Sequence, residues 1–156
     1  MEKIYFEVIK HGNQEISLIS DWYFYEWNIK REKTINQLNE LTNHAQYFQV
    51  LMKRNDEPIA TGGIYSHVSL LDKEPNFKIY PYWLALVYTI PSERGKGYGA
   101  ILCDFIEREA LKRNISELYL FTHTAESLYK RLGWHTLENM IINEKNIAIM
   151  RKQLSV

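Results

Sequence analysis

Apolar positions along this chain change their period several times, and each change marks an element. Tyr5-Phe-Glu-Val-Ile9 alternates as a short strand and is closed by His11-Gly12-Asn13. From Glu15 to about Trp27 the spacing turns helical, with Ile16, Ile19, Tyr23 and Trp27 near one face. A second helix is predicted over Thr34–Asn43, where Ile35, Leu38 and Leu41 recur; Thr34 and Gln37 have the spacing of a capping box. Two strands, Tyr47–Lys53 and Pro58–Leu71, then flank the polar turn Arg54-Asn-Asp-Glu57. A loop with Pro75 and Pro81 leads to Tyr82–Thr89, a near-continuous apolar run of the buried-strand kind.

A glycine-rich turn follows, then a helix from about Gly99 to Lys112 with Leu102, Phe105, Ile106 and Ala110 on one stripe. Glu117–Thr122 reads as a strand, and Ala125–Leu132 as a short helix stopped by Gly133. Met140–Asn143 and Asn146–Lys152 form a closing hairpin around Glu144-Lys145. The order β-α-α-β-β-β-α-β-α-β-β predicts a mixed α/β domain whose central strands are joined by a βαβ crossover. No repeat, linker or low-complexity tract interrupts it, so residues 1–156 are expected to form one domain.

Composition narrows the function classes. Lys+Arg and Asp+Glu both number 19, a formal net charge of +0, which argues against a general nucleic-acid or anionic-membrane binder. Cys103 is the only cysteine, so no internal disulfide forms. No apolar run approaches the ~18 residues of a spanning helix, and the start lacks a leader pattern; a cytoplasmic protein is expected. Neither a Cys/His cluster with metal-ligand spacing nor a G-x-S-x-G elbow is present.

The chemistry-bearing segment is Ile90-Pro-Ser-Glu-Arg-Gly-Lys-Gly-Tyr-Gly99, between a buried strand and an amphipathic helix. A helix start leaves amide N–H groups unpaired and carries partial positive charge. Glycines there permit unusual dihedrals and close approach of an anion, and Arg94 and Lys96 add full charges. A phosphate or pyrophosphate site is the functional reading, and a plain strand-to-helix turn the competing one. Walker A fails because Ala100 follows Gly99, and the dinucleotide pattern fails because the glycines run G-x-G-x-G.

Arg94-x-x-Gly97-x-Gly99 resembles the acetyl-CoA pyrophosphate motif of the GNAT acetyltransferase superfamily. Tyr82–Thr89 looks like that family's fourth strand, and Pro91 sits where a proline often precedes the motif. Ala125-Glu-Ser-Leu-Tyr129-Lys-Arg-Leu-Gly133-Trp134 is similar to its A-x-x-x-Y-x-x-x-G-[FW] segment. The resemblance is close over about residues 58–135 and follows element order over the whole chain. It implies a mostly antiparallel central sheet with helices on both faces and a splay between strands 4 and 5. It also implies acetyl-CoA as cosubstrate, without a metal, and an amine as acceptor, in a small molecule or a protein, used by a monomer or homodimer.

Residue by residue, the resemblance implies that main-chain groups of Val87, Tyr88 and Thr89 meet the pantetheine arm. The amides of Arg94, Gly95, Lys96, Gly97, Tyr98 and Gly99 would hold the pyrophosphate, and Tyr129 would protonate the leaving thiolate. The family's frequent Asn at the end of the fifth strand is replaced here by Thr122-His123. The amine must be neutral to attack, although a lysine titrates near ~10.4 and an α-amine near ~7.7–8.0. His123 is the candidate base, with Asp72 and His67 as alternatives and Glu93 read as a surface charge. The aromatic run Asp21–Trp27 is expected to pack, its carboxylates Asp21 and Glu26 being the other groups able to attract a cationic amine. Cys103, one turn into the helix, is expected to be a buried thiol away from the thioester. The alternative to an enzyme is a non-catalytic acyl-CoA-binding sensor or scaffold.

Overall fold

Alternating apolar residues of the strands feed two cores, one on each face of a single sheet. The computed structural model describes residues 2–155. Seven strands are ordered β1-β2-β3-β4-β5-β7-β6. They are β1 (Ile4–Val8), β2 (Phe48–Arg54), β3 (Glu57–Tyr65), β4 (Trp83–Thr89), β5 (Glu117–Thr122), β6 (His135–Ile142) and β7 (Lys145–Gln153). All neighbours pair antiparallel except β4 and β5. The helices are α1 (Glu15–Trp27), α2 (Arg31–Leu41), α3 (Leu70–Lys73), α4 (Tyr98–Lys112) and α5 (Glu126–Arg131). The mostly antiparallel sheet, the βαβ crossover β4-α4-β5 and the helices on both faces agree with the expectation.

Period-two alternation divides the side chains between the faces. In β2, Phe48, Val50 and Met52 join Leu102, Cys103, Ile106 and Ala110 of α4. Leu51 points the other way, to Ile16, Ile19 and Tyr23 of α1 and Leu38 of α2. In β7, Ala148 and Met150 share the α4 side, and Ile147 and Ile149 the α1 side.

Three boundaries differ from the sequence expectation by more than two residues. Helix α2 begins at Arg31, so Thr34 lies buried inside it and no side chain caps the helix. Arg31 ties the start to α1 through Asp21 at 2.7 Å and stacks over the Phe24 ring at 4.1 Å. Strand β3 stops at Tyr65 rather than Leu71: the chain leaves the sheet there, and Leu70 and Leu71 are buried from the helical turn of α3 against the α1-side core instead. Strand β6 runs from His135, not Met140; as an exposed edge it lacks the alternation that reveals a half-buried strand. Its turn is Asn143-Glu144, with φ of 52° and 66°, the primed geometry that matches strand twist.

Candidate active site

The site begins with a fault in the sheet. Thr61 pairs with Tyr88 and Gly63 with Ala85, so two steps on β3 oppose three on β4. The extra residue makes a β-bulge, which bends the strand and takes backbone groups out of the ladder. Leu86 sits in it with φ 58°, a left-handed conformation costing a non-glycine residue about 1–2 kcal/mol. Gly62 opposes the bulge, where an added Cβ would come within 3.1 Å of the Val87 side chain. On its other side β4 meets β5 only at Trp83↔Tyr119. The two strands therefore separate beyond that pair, and the main chain from Leu86 to Thr89 has no strand partner on the β5 side.

A buried polar network holds the bulge from the α1 face. The Tyr23 hydroxyl donates to the Leu86 carbonyl at 2.6 Å, and Gln49 Nε2 donates to Tyr23 at 2.9 Å and to Thr61 Oγ1 at 2.7 Å. Thr61 in turn donates to the Val50 carbonyl, and Tyr65 donates to Gln49 Oε1. Burial pushes the Tyr23 and Tyr65 hydroxyls well up from the ordinary phenol value, so both remain donors. None of these residues was singled out as functional in the sequence. Their only local signal is a polar Gln49 and Thr61 inside apolar strands.

Beyond β4, a short 3-10 turn at Pro91–Glu93 leads to the glycine run. Gly95 and Gly97 have φ of 76° and 87°, which explains both glycines by backbone geometry. Gly99 is different. It lies in α4 without a left-handed φ, and a Cβ there would meet nothing within 4 Å. Alanine would suit that helix better by about 1 kcal/mol, so no contact within the chain explains Gly99. Its Cβ direction faces open space, as those of Gly95 and Gly97 do. Gly97 begins α4 without a side-chain cap, which leaves first-turn amides facing this open surface.

The cations of the run are already paired. Arg94 donates to the Thr89 carbonyl at 2.8 Å and to Glu26 at 3.0 Å, and its guanidinium stands 5.3 Å from the Tyr88 ring centroid. Lys96 Nζ lies 3.1 Å from Glu93. Glu93 is not the surface charge expected: it is only 8% exposed and receives two bonds from Arg54, at 2.5 and 2.7 Å. Arg54, with Lys96 in support, holds the Glu93 carboxyl below the usual carboxylate range. This clamp fastens the turn to the end of β2.

Across the splay, α5 ends in a Schellman motif. Gly133 at φ 93° lets its N–H reach the Lys130 carbonyl at 3.1 Å and the Trp134 N–H reach the Tyr129 carbonyl at 3.0 Å. The accompanying apolar contact is the Tyr129 ring edge-on to Trp134, centroids 5.9 Å apart. One motif thus accounts for the spacing Tyr129-x-x-x-Gly133-Trp134. Burial and the neighbouring Cys103 push the Tyr129 hydroxyl well up, so it stays protonated at neutral pH. Cys103 is buried as expected, with its thiol pushed up to about 12 by burial, and it lies beside the Tyr129 hydroxyl without lining the cleft into which the splay opens.

The splay opens into a cleft of about 750 Å³ that Leu86 and Val87 of β4, Tyr129, His123, His67 and Asp72 all line. His123 is exposed; its Nδ1 is 3.0 Å from the Asn146 carbonyl, to which it donates, leaving Nε2 free. His67 Nε2 is 3.3 Å from Asp72 Oδ1. Asp21 is instead bound to Arg31, Glu26 to Arg94, and neither lines the cleft.

The family model of the acetyltransferase (GNAT) family matches residues 13–134, most of the chain. The chain belongs to the GNAT acetyltransferase family. No curated protein sequence matches it. This acetyltransferase is similar in fold to an aminoglycoside 6'-N-acetyltransferase solved with coenzyme A, at TM-score 0.75 and 16% identity, over 97% of this chain and 98% of that one. The aminoglycoside 6'-N-acetyltransferase from Enterococcus faecium aligns at TM-score 0.72 and 17% identity, covering 97% and 98%. A GNAT-family acetyltransferase from Streptococcus pneumoniae aligns at TM-score 0.74 and 12% identity, covering 98% and 100%. Acetyl-CoA is the cosubstrate of the family, and the open glycine face and the β4 main chain without a β5 partner fit such a group. Among the described residues no His, Cys, Asp and Glu cluster is arranged to hold a metal, and no helix is long and apolar enough to cross a membrane.

Proposed function

We propose that residues 1–156 act as one domain that transfers the acetyl group of acetyl-CoA to a primary amine. The observation that carries this is the continuity of the cleft: it reaches from the β4 backbone that lacks a β5 partner, past Tyr129, to the exposed His67 and His123. When bound, acetyl-CoA supplies an activated thioester carbon.

In this reading the amides of Arg94, Gly95, Lys96, Gly97, Tyr98 and Gly99 hold the pyrophosphate. The main chain carries most of that task, since Arg94 and Lys96 are shared with Glu26 and Glu93. Val87, Tyr88 and Thr89 offer backbone groups to the pantetheine amides, as an extra strand would. An N–H of the bulge stabilises negative charge developing on the carbonyl oxygen. His123 Nε2, fixed by the bond its Nδ1 makes to Asn146, takes the proton from the amine, directly or through water. Tyr129, kept protonated by burial, delivers one to the departing sulfur. The reading keeps a cytoplasmic monomer or homodimer.

Free-thiol release from acetyl-CoA across a panel of primary amines tests the proposal. Amine-dependent release above the hydrolysis background is expected. A protein that binds acetyl-CoA yet releases no thiol with any amine would instead be an acyl-CoA-binding module.

A further inference from the structure

The charges around the acceptor side of the cleft bear on which amine enters, on the footing that the acetyl transfer proposed above is correct. That side is bounded by α2, the loop between β3 and α3, and the start of β7. Lys33 of α2 and Lys145 of β7 line it, both exposed, together with His67 and His123. The ion-paired lysines among the described residues are Lys53, Lys96, Lys130 and Lys152; Lys33 and Lys145 are not among them. Asp72 is the only carboxylate in the lining among the described residues, and it stands 3.3 Å from His67. Two free cations and two titratable rings thus face one engaged carboxylate.

Such a lining does two things. Like charges at the mouth disfavour a polycationic acceptor, and a concave wall of low dielectric focuses that field. The same positive potential favours the neutral form of an incoming amine, the form that attacks. It also leaves two ammonium groups without anions of their own. The apolar remainder, including Trp27, Ile29 and Ile147, accommodates a short aliphatic or aromatic body. The cleft volume of about 750 Å³ is of the size that takes a small molecule. We infer that the acceptor is a small primary amine bearing a carboxylate, of amino-acid to dipeptide size, whose carboxylate is bound by Lys33 and Lys145. Aminoglycosides, the polycations named for the acetyltransferases that share the fold, are the acceptor class this lining disfavours.

The test uses the full chain and thiol release with matched acceptors: free amino acids and dipeptides, the same compounds amidated, and versions ending in a cationic amide. Polyamines and an aminoglycoside complete the panel. With at least one carboxylate acceptor, kcat/KM is expected to fall at least threefold on amidation, and further for the cationic form. Lys33→Gln with Lys145→Gln should bring that ratio close to one while the acetyl-CoA KM stays within twofold. Raising salt tenfold should shrink it too. Equal or faster turnover of the amidated or cationic members, or a ratio unmoved in the double variant, overturns the charge inference and leaves acetyl transfer standing. No thiol release from any amine, polycations included, overturns acetyl transfer and this inference with it.

Discussion

Tyr23 and Leu86 are bonded to each other: a hydroxyl in the middle of α1 donates at 2.6 Å to the carbonyl of the bulge residue of β4. The left-handed φ of Leu86 is thereby held by a buried donor that has no alternative acceptor in water. Tyr23→Phe leaves that carbonyl and one Gln49 N–H without their partner. Stability should drop by about 1–3 kcal/mol in urea unfolding. If the bulge amides serve the reaction, kcat should fall about tenfold with the acetyl-CoA KM nearly unchanged. Lost stability with an intact kcat would make the network a support of the fold alone.

Tyr129→Phe keeps the ring against Trp134 and removes only the proton donor. A donor used as the thiolate departs acts in the transition state, so kcat and kcat/KM should fall together. The expected loss is near 10²-fold, the low end for general acid catalysis, since water substitutes in part. An unchanged kcat under rate-limiting chemistry would leave Tyr129 a packing residue. A collapse of CoA affinity would make it a cofactor contact.

Glycine substitutions separate ligand approach from backbone strain. Gly97→Val meets a φ of 87° and should lose both stability and CoA affinity. Gly99→Ala meets neither strain nor a neighbour. Its melting temperature should hold or rise, helix propensity favouring alanine by about 1 kcal/mol, while calorimetry shows CoA binding weakened about tenfold. Unaltered affinity in Gly99→Ala would mean that the pyrophosphate does not lie against this residue.

The Glu93 clamp predicts a pH dependence. Its carboxyl is held below the ordinary value by Arg54 and then Lys96, so its folded pKa is lower than its unfolded one. The stabilisation is therefore fully present above about pH 4.5 and is lost as pH falls through the folded value. Wild type should melt above Glu93→Gln at pH 7, and the difference should narrow below about pH 4. A constant difference from pH 7 to 3 would show that the clamp's charge contributes nothing.

The parts of this protein that were legible in the chain close over short stretches. The glycine run takes its dihedrals from its own glycines, and the segment ending in Gly133-Trp134 closes its own backbone bonds, each within about a dozen residues. Their geometry follows from residue type, and the family resemblance rested on them. The strand and helix order was legible for a related reason: a buried face imposes its period on whatever sequence occupies it. Exposed β6 carried no such imprint, and its start was missed.

The bulge, the network beneath it, the Glu93 clamp and the charge around the cleft depend on distant partners. Tyr23 meets Leu86 across 63 positions, and Arg54 meets Glu93 across 39. Nothing local distinguishes such a Tyr, Gln or Glu from one that faces water, because the cost of burying a polar group is met only by whichever partner folding brings beside it. The register of β3 against β4 decided where the sheet opens. The packing of α2 and β7 around that opening decided which charges surround it. A chain with the same period, the same turns and the same glycines could have closed over a different set of charges.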